Sequence, residues 1–124
     1  MKNVRLLAAC LLVLGLVALC LTGPLATSSE AAGATIIEFR STICPFCYQQ
    51  EEILKELQSK YGGQISVMYY NNSTDQPMFD KYGISLVPSV VVLGSSGSVM
   101  YRHEGLVSKD ELISALKSRN LIHD

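Results

Sequence analysis

Two cysteines, Cys44 and Cys47, enclose a dipeptide in the segment Cys44-Pro45-Phe46-Cys47. Thiols at this spacing close a small ring, so the pair can pass between dithiol and disulfide and carry electrons two at a time. The same C-x-x-C string also serves zinc, and its setting decides between the two uses. Upstream, Ile36-Ile37-Glu38-Phe39 reads as a short buried strand; downstream, Ile53, Leu54, Leu57 and Tyr61 recur at helical spacing. The first cysteine therefore falls at a helix N-terminus. Free backbone N–H groups and the positive end of the helix dipole favour an anion there, which makes Cys44 a thiolate and a nucleophile. That strand-to-helix setting points to redox chemistry. His103 and His123 are distant in sequence and offer poor zinc geometry, so no metal is expected.

The elements that must position the pair follow along the chain. Ile36–Phe39 is a strand and Phe46–Tyr61 a helix that Gly62-Gly63 ends. Ile65–Tyr70 is a second strand, apolar enough to be buried on both faces. Asn71 to Asp75 make a loop, and a short helix follows around Gln76–Tyr82, closed by Gly83. Ser89–Leu93 is a β-branched run, joined through Gly94-Ser95-Ser96-Gly97 to a partner strand, Ser98–His103. Ser108-Lys109-Asp110-Glu111 reads as a capping box opening a last helix with Leu112, Ala115 and Leu116 on its inner face. The expectation is an α/β domain of order β-α-β-α-β-β-α with a parallel start and an antiparallel hairpin finish. The tyrosines Tyr69, Tyr70 and Tyr82 and the methionines Met68, Met78 and Met100 are read as core and strand-surface residues.

With the elements in this order, the chain resembles the thioredoxin family over essentially all of 35–120. The resemblance is carried by Ile-Ile-Glu-Phe before the motif, the cysteine pair itself, Lys-Tyr-Gly-Ile-Ser-Leu-Val-Pro-Ser at 81–89, the Val-Val-Val-Leu strand, and Glu-Gly-Leu-Val-Ser before the last helix. It implies a minimal thioredoxin-like fold with a mixed four-stranded sheet, lacking the family's usual first strand and helix. It also assigns roles to single residues. Cys44 matches the exposed nucleophile and Cys47 the buried resolving thiol. Pro88 matches the family's cis proline facing the active site, with Val87 before it lending backbone groups to an extended substrate segment; Pro45 and Phe46 fall beside that segment. Glu38 matches a buried acid near the inner thiol, and a carboxyl among Ile36, Ile37 and Phe39 should have a raised pKa and could take the proton of Cys47 through water.

Departures from the family pattern are equally specific. Ile43 stands where thioredoxins usually have Trp, and the chain contains no Trp. Arg40 takes another aromatic position near the site, either stabilising the Cys44 thiolate or simply solvated. Tyr69 replaces the Lys that often pairs with the buried acid. The dipeptide Pro-Phe, rather than Gly-Pro, resembles glutaredoxins and the periplasmic disulfide oxidases. A glutathione site would want a charged pocket, and none is evident.

The N-terminus carries a separate message. Lys2 and Arg5 precede a run from Leu6 to Leu21 without a charged residue, and no acidic residue occurs before Glu30. This is the layout of a secretory signal or an N-terminal anchor. The run is at the short end for a membrane span, and Pro24 would break its extension. Ala26 with Ser28, or Ala32 with Ala34, offers a cleavage site; Cys10 and Cys20 fit a lipidation site poorly. Residues 22–34 are small and polar and read as a linker, so the expected organisation is 1–33 leader plus linker and 34–124 domain. Positive-inside logic exports the domain to a periplasmic or extracellular compartment, secreted or anchored by residues 6–21. Such a compartment lies outside the cytosolic thiol pools, so any role as a reductant there needs electrons delivered across the membrane.

The expectation is an exported thiol–disulfide oxidoreductase acting on protein thiols and disulfides through Cys44 and Cys47, without a dissociable cofactor. A membrane electron carrier or a disulfide-generating protein is the implied redox partner. The alternative is a redox-inert module that uses the same groove to hold a partner chain. Within residues 34–124, ten Asp or Glu face eight Lys or Arg, with no basic stripe for a nucleic acid.

Overall fold

The computed structural model describes residues 33–124. The leader, its linker up to residue 32 and every expectation about cleavage, anchoring or lipidation lie outside the described residues. Among the described residues no helix is long and apolar enough to cross a membrane.

The order is β1 (Ala34–Arg40), α1 (Pro45–Tyr61), β2 (Ile65–Asn71), α2 (Gln76–Tyr82), β3 (Ser89–Gly94), β4 (Val99–Glu104) and α3 (Lys109–Lys117). The strands form one four-stranded sheet in the order β2-β1-β3-β4. β1 pairs parallel with β2, while β3 runs antiparallel to both β1 and β4. This is the expected mixed sheet, with the crossover through α1 and the hairpin at the end. The hairpin turn closes through Gly94 N–H to the Ser98 carbonyl at 2.9 Å, with Gly97 at φ +81°, where a side chain would be strained.

Alternation along β1 divides its side chains between two cores. Ile36 joins Leu54 and Leu57 of α1, Val90 and Val92 of β3, and Leu112 and Leu116 of α3 on one face. Ile37 and Phe39 face the other way, against Phe79 of α2, Ile84 and Val91. Phe39 meets Phe79 edge to face at 5.0 Å and lies 5.6 and 5.7 Å from Tyr82 and Tyr70, a cluster that anchors the short α2. Helices thus cover both faces of the sheet, and α1 is held by a stripe of Cys47, Gln50, Leu54, Leu57 and Tyr61.

One expectation about the elements fails. β2 is not buried on both faces: Met68 and Tyr69 are exposed, and its burial falls away along the strand. The reason is its place at the sheet edge, with a single neighbour, β1. The last helix starts as the sequence implies, with the Glu111 N–H donating to Ser108 Oγ at 3.3 Å. Its Glu111 carboxylate does not complete the box; it accepts from the Tyr101 hydroxyl at 3.2 Å.

Candidate active site

The parallel β1 runs out at Arg40 and the chain turns directly into α1, so Cys44 becomes the residue that caps the helix. It has extended backbone, and its Sγ accepts from the Cys47 N–H at 3.2 Å while its carbonyl accepts from Cys47 N–H at 3.1 Å and Tyr48 N–H at 3.4 Å. Proline is tolerated at the first helical position because its missing N–H has no intrahelical partner there. Cys44 and Cys47 are joined in a disulfide with their Cα atoms 5.2 Å apart. Cys44 is half-buried and Cys47 wholly buried, while Pro45 and Phe46 are exposed. An attacking sulfur reaches Cys44 before it reaches Cys47.

Register brings the remaining pieces to the same end of the sheet. Phe39, near the end of β1, pairs with Ser89 at the start of β3, and Ser89 pairs in turn with Glu104 at the end of β4. The Cys44–Cys47 turn, the Val87–Pro88 segment and the 105–107 loop therefore share one edge. The Val87–Pro88 peptide is cis, Pro88 is buried, and its carbonyl accepts from the Gly105 N–H at 2.8 Å. Around this end Ile43, Phe46, Leu86 and Leu106 are exposed apolar side chains. Ile43 is 89% exposed, an aliphatic side chain left almost wholly outside the core.

Glu38 lies inside, on the α1 face of β1, with no exposed surface and no hydrogen bond to either carboxylate oxygen. Burial pushes its pKa up from 4.5 to about 7, opposed by the positive charge of Arg40 and assisted by the negative charge of Glu51. A carboxyl balanced near neutrality can both take and return a proton at working pH. Arg40 is not solvated: its side chain is 17% exposed, pairs with Glu51 at 2.6 Å, and has the rings of Tyr48 and Tyr69 each 5.6 Å from its guanidinium.

Two features escaped the sequence reading. Gln50 is a buried amide whose Oε1 accepts from the Val107 N–H at 2.9 Å and whose Nε2 donates to the Val107 carbonyl at 3.4 Å. It fastens α1, one turn beyond Cys47, to the loop that also reaches Pro88. The signal was available, since a Gln in the Cys47–Leu54–Leu57 stripe needs buried partners. Glu51 was the second, hidden as one of several charged residues on a long helix. Neither His103 nor His123 approaches the cysteines through any hydrogen bond, and among the described residues no group of three or more His, Cys, Asp or Glu could hold a metal ion.

Comparison with known proteins agrees with this arrangement. The thioredoxin family model matches residues 26–118. A thioredoxin of Methanocaldococcus jannaschii is 27% identical over 81 residues, 65% of this chain and 89% of the relative. A probable thioredoxin of Methanothermobacter thermautotrophicus is 28% identical over 78 residues, 63% of this chain and 86% of the relative. Among solved structures, thioredoxin-2, described as a component of malaria parasite protein secretion machinery, superposes with a TM-score of 0.65 at 21% identity, covering 69% of this chain and 82% of that one. At that identity the likeness is one of fold.

Proposed function

The chain belongs to the thioredoxin family and is a thiol–disulfide oxidoreductase whose chemistry runs on its cysteine pair without a further cofactor, and from that premise we propose that it works outside the cytoplasm on protein disulfides, with Cys44 as nucleophile and Cys47 as resolving thiol. The observation that carries the reading is the disulfide at the start of α1, with Cys44 reachable and Cys47 sealed beneath it.

In the reducing direction the Cys44 thiolate attacks one sulfur of a substrate disulfide and expels the other as a thiolate. The Cys47 thiol then passes its proton through water to Glu38 and attacks the Cys44 sulfur. The Cys44–Cys47 disulfide forms, the mixed disulfide breaks, and the substrate leaves with both electrons as two thiolates that take up protons from solvent, while Glu38 releases its proton to solvent. In the oxidising direction the same steps run backwards, with Glu38 returning the proton to Cys47. The Val87–Pro88 segment and the apolar rim of Ile43, Phe46, Leu86 and Leu106 supply the surface on which an extended substrate chain lies. Export is supported by the positive n-region and apolar run of residues 2–21. A membrane electron carrier or a disulfide-generating protein then resets the pair.

Replacing each cysteine tests the assignment. Cys44→Ser is expected to abolish reduction of insulin disulfides, while Cys47→Ser accumulates mixed disulfides visible on a non-reducing gel. In the reduced protein Cys44 should alkylate first near neutral pH. A faster Cys47 reverses the two roles.

A further inference from the structure

Glu38 presents an electrostatic problem that its own pocket does not solve. Both oxygens are buried and neither receives a hydrogen bond. Burial of that kind favours the neutral acid, and a carboxyl locked in its neutral form cannot accept the Cys47 proton. The groups that face it can be named element by element. β1 supplies Arg40, two positions on and therefore on the same sheet face, about 7 Å away between Cα atoms. β2 supplies its register partner Tyr69, and β3 supplies Val90. From α1 comes Glu51, whose charge acts on Glu38, with Lys55 behind it at 3.1 Å. α3 brings the apolar Leu112 and Leu116 to the core on this sheet face, beside Ile36 and Val90. The hydroxyl of Tyr69 is held above its ordinary pKa, chiefly by burial and next by Glu38, so Tyr69 adds a ring and no charge.

Among the described residues Arg40 is thus the one cation on this strand face close to Glu38, and it is not bonded to it. Its guanidinium is committed to Glu51 at 2.6 Å and flanked by the rings of Tyr48 and Tyr69. An arginine held by three groups from two elements has a fixed place, and its field at Glu38 is correspondingly fixed. Glu51 works in two ways: it tethers the cation and it opposes it, since its own charge acts on Glu38 with the opposite sign.

We propose that Arg40, clamped by Glu51 between Tyr48 and Tyr69, is a positioning residue that sets the charge state of Glu38 and thereby the rate at which Cys47 is deprotonated in the resolving step. The kinetic half of this rests on the oxidoreductase reading above; the electrostatic half does not. Arg40 keeps Glu38 ionisable at working pH, and Glu51 keeps the carboxylate from becoming so stable that it fails to take a proton. The chain reaches this balance with a cation on β1 itself, where its β2 register position holds a tyrosine.

The experiment follows the Glu38 carboxyl carbon by NMR as a function of pH in the oxidised domain, for the wild type and for Arg40→Met, Arg40→Lys and Glu51→Gln. Arg40→Met is expected to raise the Glu38 midpoint by roughly half a unit to one unit, with Arg40→Lys recovering most of the difference. Glu51→Gln is expected to move the midpoint the other way. In the reduced protein the pH profile for release of a Cys44 mixed disulfide should shift in the same order, making Arg40→Met about three- to tenfold slower on the acid side. A purely structural role for the clamp moves stability but not these midpoints in opposite directions. An unchanged Glu38 midpoint in Arg40→Met, or shifts of one sign in Arg40→Met and Glu51→Gln, overturns the proposal. So does a shift confined to the titration of Cys44, which would make the nucleophile the target of the Arg40 charge. Absence of turnover in the wild type, with the carboxyl midpoints moving as expected, strikes the functional reading and leaves the Arg40 assignment standing.

Discussion

At the scale of single residues, the environment of Glu38 connects stability to chemistry. Its folded pKa of about 7 lies above its ordinary 4.5, so between those values the native state holds a proton that the unfolded chain has released. Stability from this group is therefore fully present below the unfolded value and is lost as pH rises through the folded one. The difference corresponds to about 3 kcal/mol. Glu38→Gln should raise the unfolding free energy of the oxidised domain, read from urea titration, by an amount of that order near pH 8 and leave it nearly unchanged near pH 4. The same substitution should slow the resolving step, so that the variant gains stability while losing turnover. A variant no more stable near pH 8 than the wild type would show that Glu38 is not held against its ionisation. The dipeptide is the other residue-scale lever. Pro45 and Phe46 leave the ring intact but surround the Cys44 sulfur differently from Gly-Pro, and in the disulfide that sulfur already caps α1 by accepting the Cys47 N–H, a place that would also favour a thiolate after reduction. A better stabilised thiolate favours the reduced pair, so equilibration with a glutathione buffer should give a potential above about −270 mV, in the range of about −230 to −150 mV. A value at or below about −270 mV argues for a reductase fed by a membrane carrier.

At the scale of elements, the site depends on how α1 is fastened to what surrounds it. Leu54, Leu57 and Tyr61 hold the helix by burial, but Gln50 holds it by direction, through two hydrogen bonds to the Val107 backbone. That loop also bonds Pro88 through Gly105, so one amide side chain links the cysteine helix to the proline edge. Gln50→Leu keeps the volume and strands a buried donor and acceptor, and should destabilise the domain by about 2–4 kcal/mol. Hydrogen exchange at the Val107 and Gly105 amides should accelerate beyond the change in global stability; equal protection in the variant would mean that the clasp does not hold the loop. The helices and the hairpin were legible because each rests on a local signal: a capping serine, a terminating glycine, a β-branched run. The edge position of β2 was not legible, since Ile65-Ser66-Val67-Met68-Tyr69-Tyr70 has the apolar content of a central strand. Only the sheet order shows that it has a single neighbour and leaves Met68 and Tyr69 partly exposed.

At the scale of the whole molecule, the proposed export rests on the N-terminal segment. With Lys2 and Arg5 ahead of an uncharged run and no acid before Glu30, a reporter enzyme fused after Asp124 should be active only outside the cytoplasm. Deleting residues 1–28 should leave a soluble folded domain. Cytoplasmic reporter activity from the full-length chain would remove the compartment argument and with it the need for a transmembrane electron source. The order of elements, the cysteine pair and the identity of the residues beside it were determined by the sequence alone, because turns, caps and hydrophobic period are written over a few neighbouring positions. What the tertiary structure decided is which distant groups share a field. Glu38, Arg40 and Tyr69 stand on two paired strands and Glu51 on the helix above them, and no local pattern says that an arginine will pair with Glu51 rather than with Glu38. Nor could any local pattern tell that Gln50 meets Val107, 57 positions away. The electrostatic interaction falls off with distance in space and is indifferent to distance along the chain, so the balance around Glu38 exists only once the sheet has closed beneath α1.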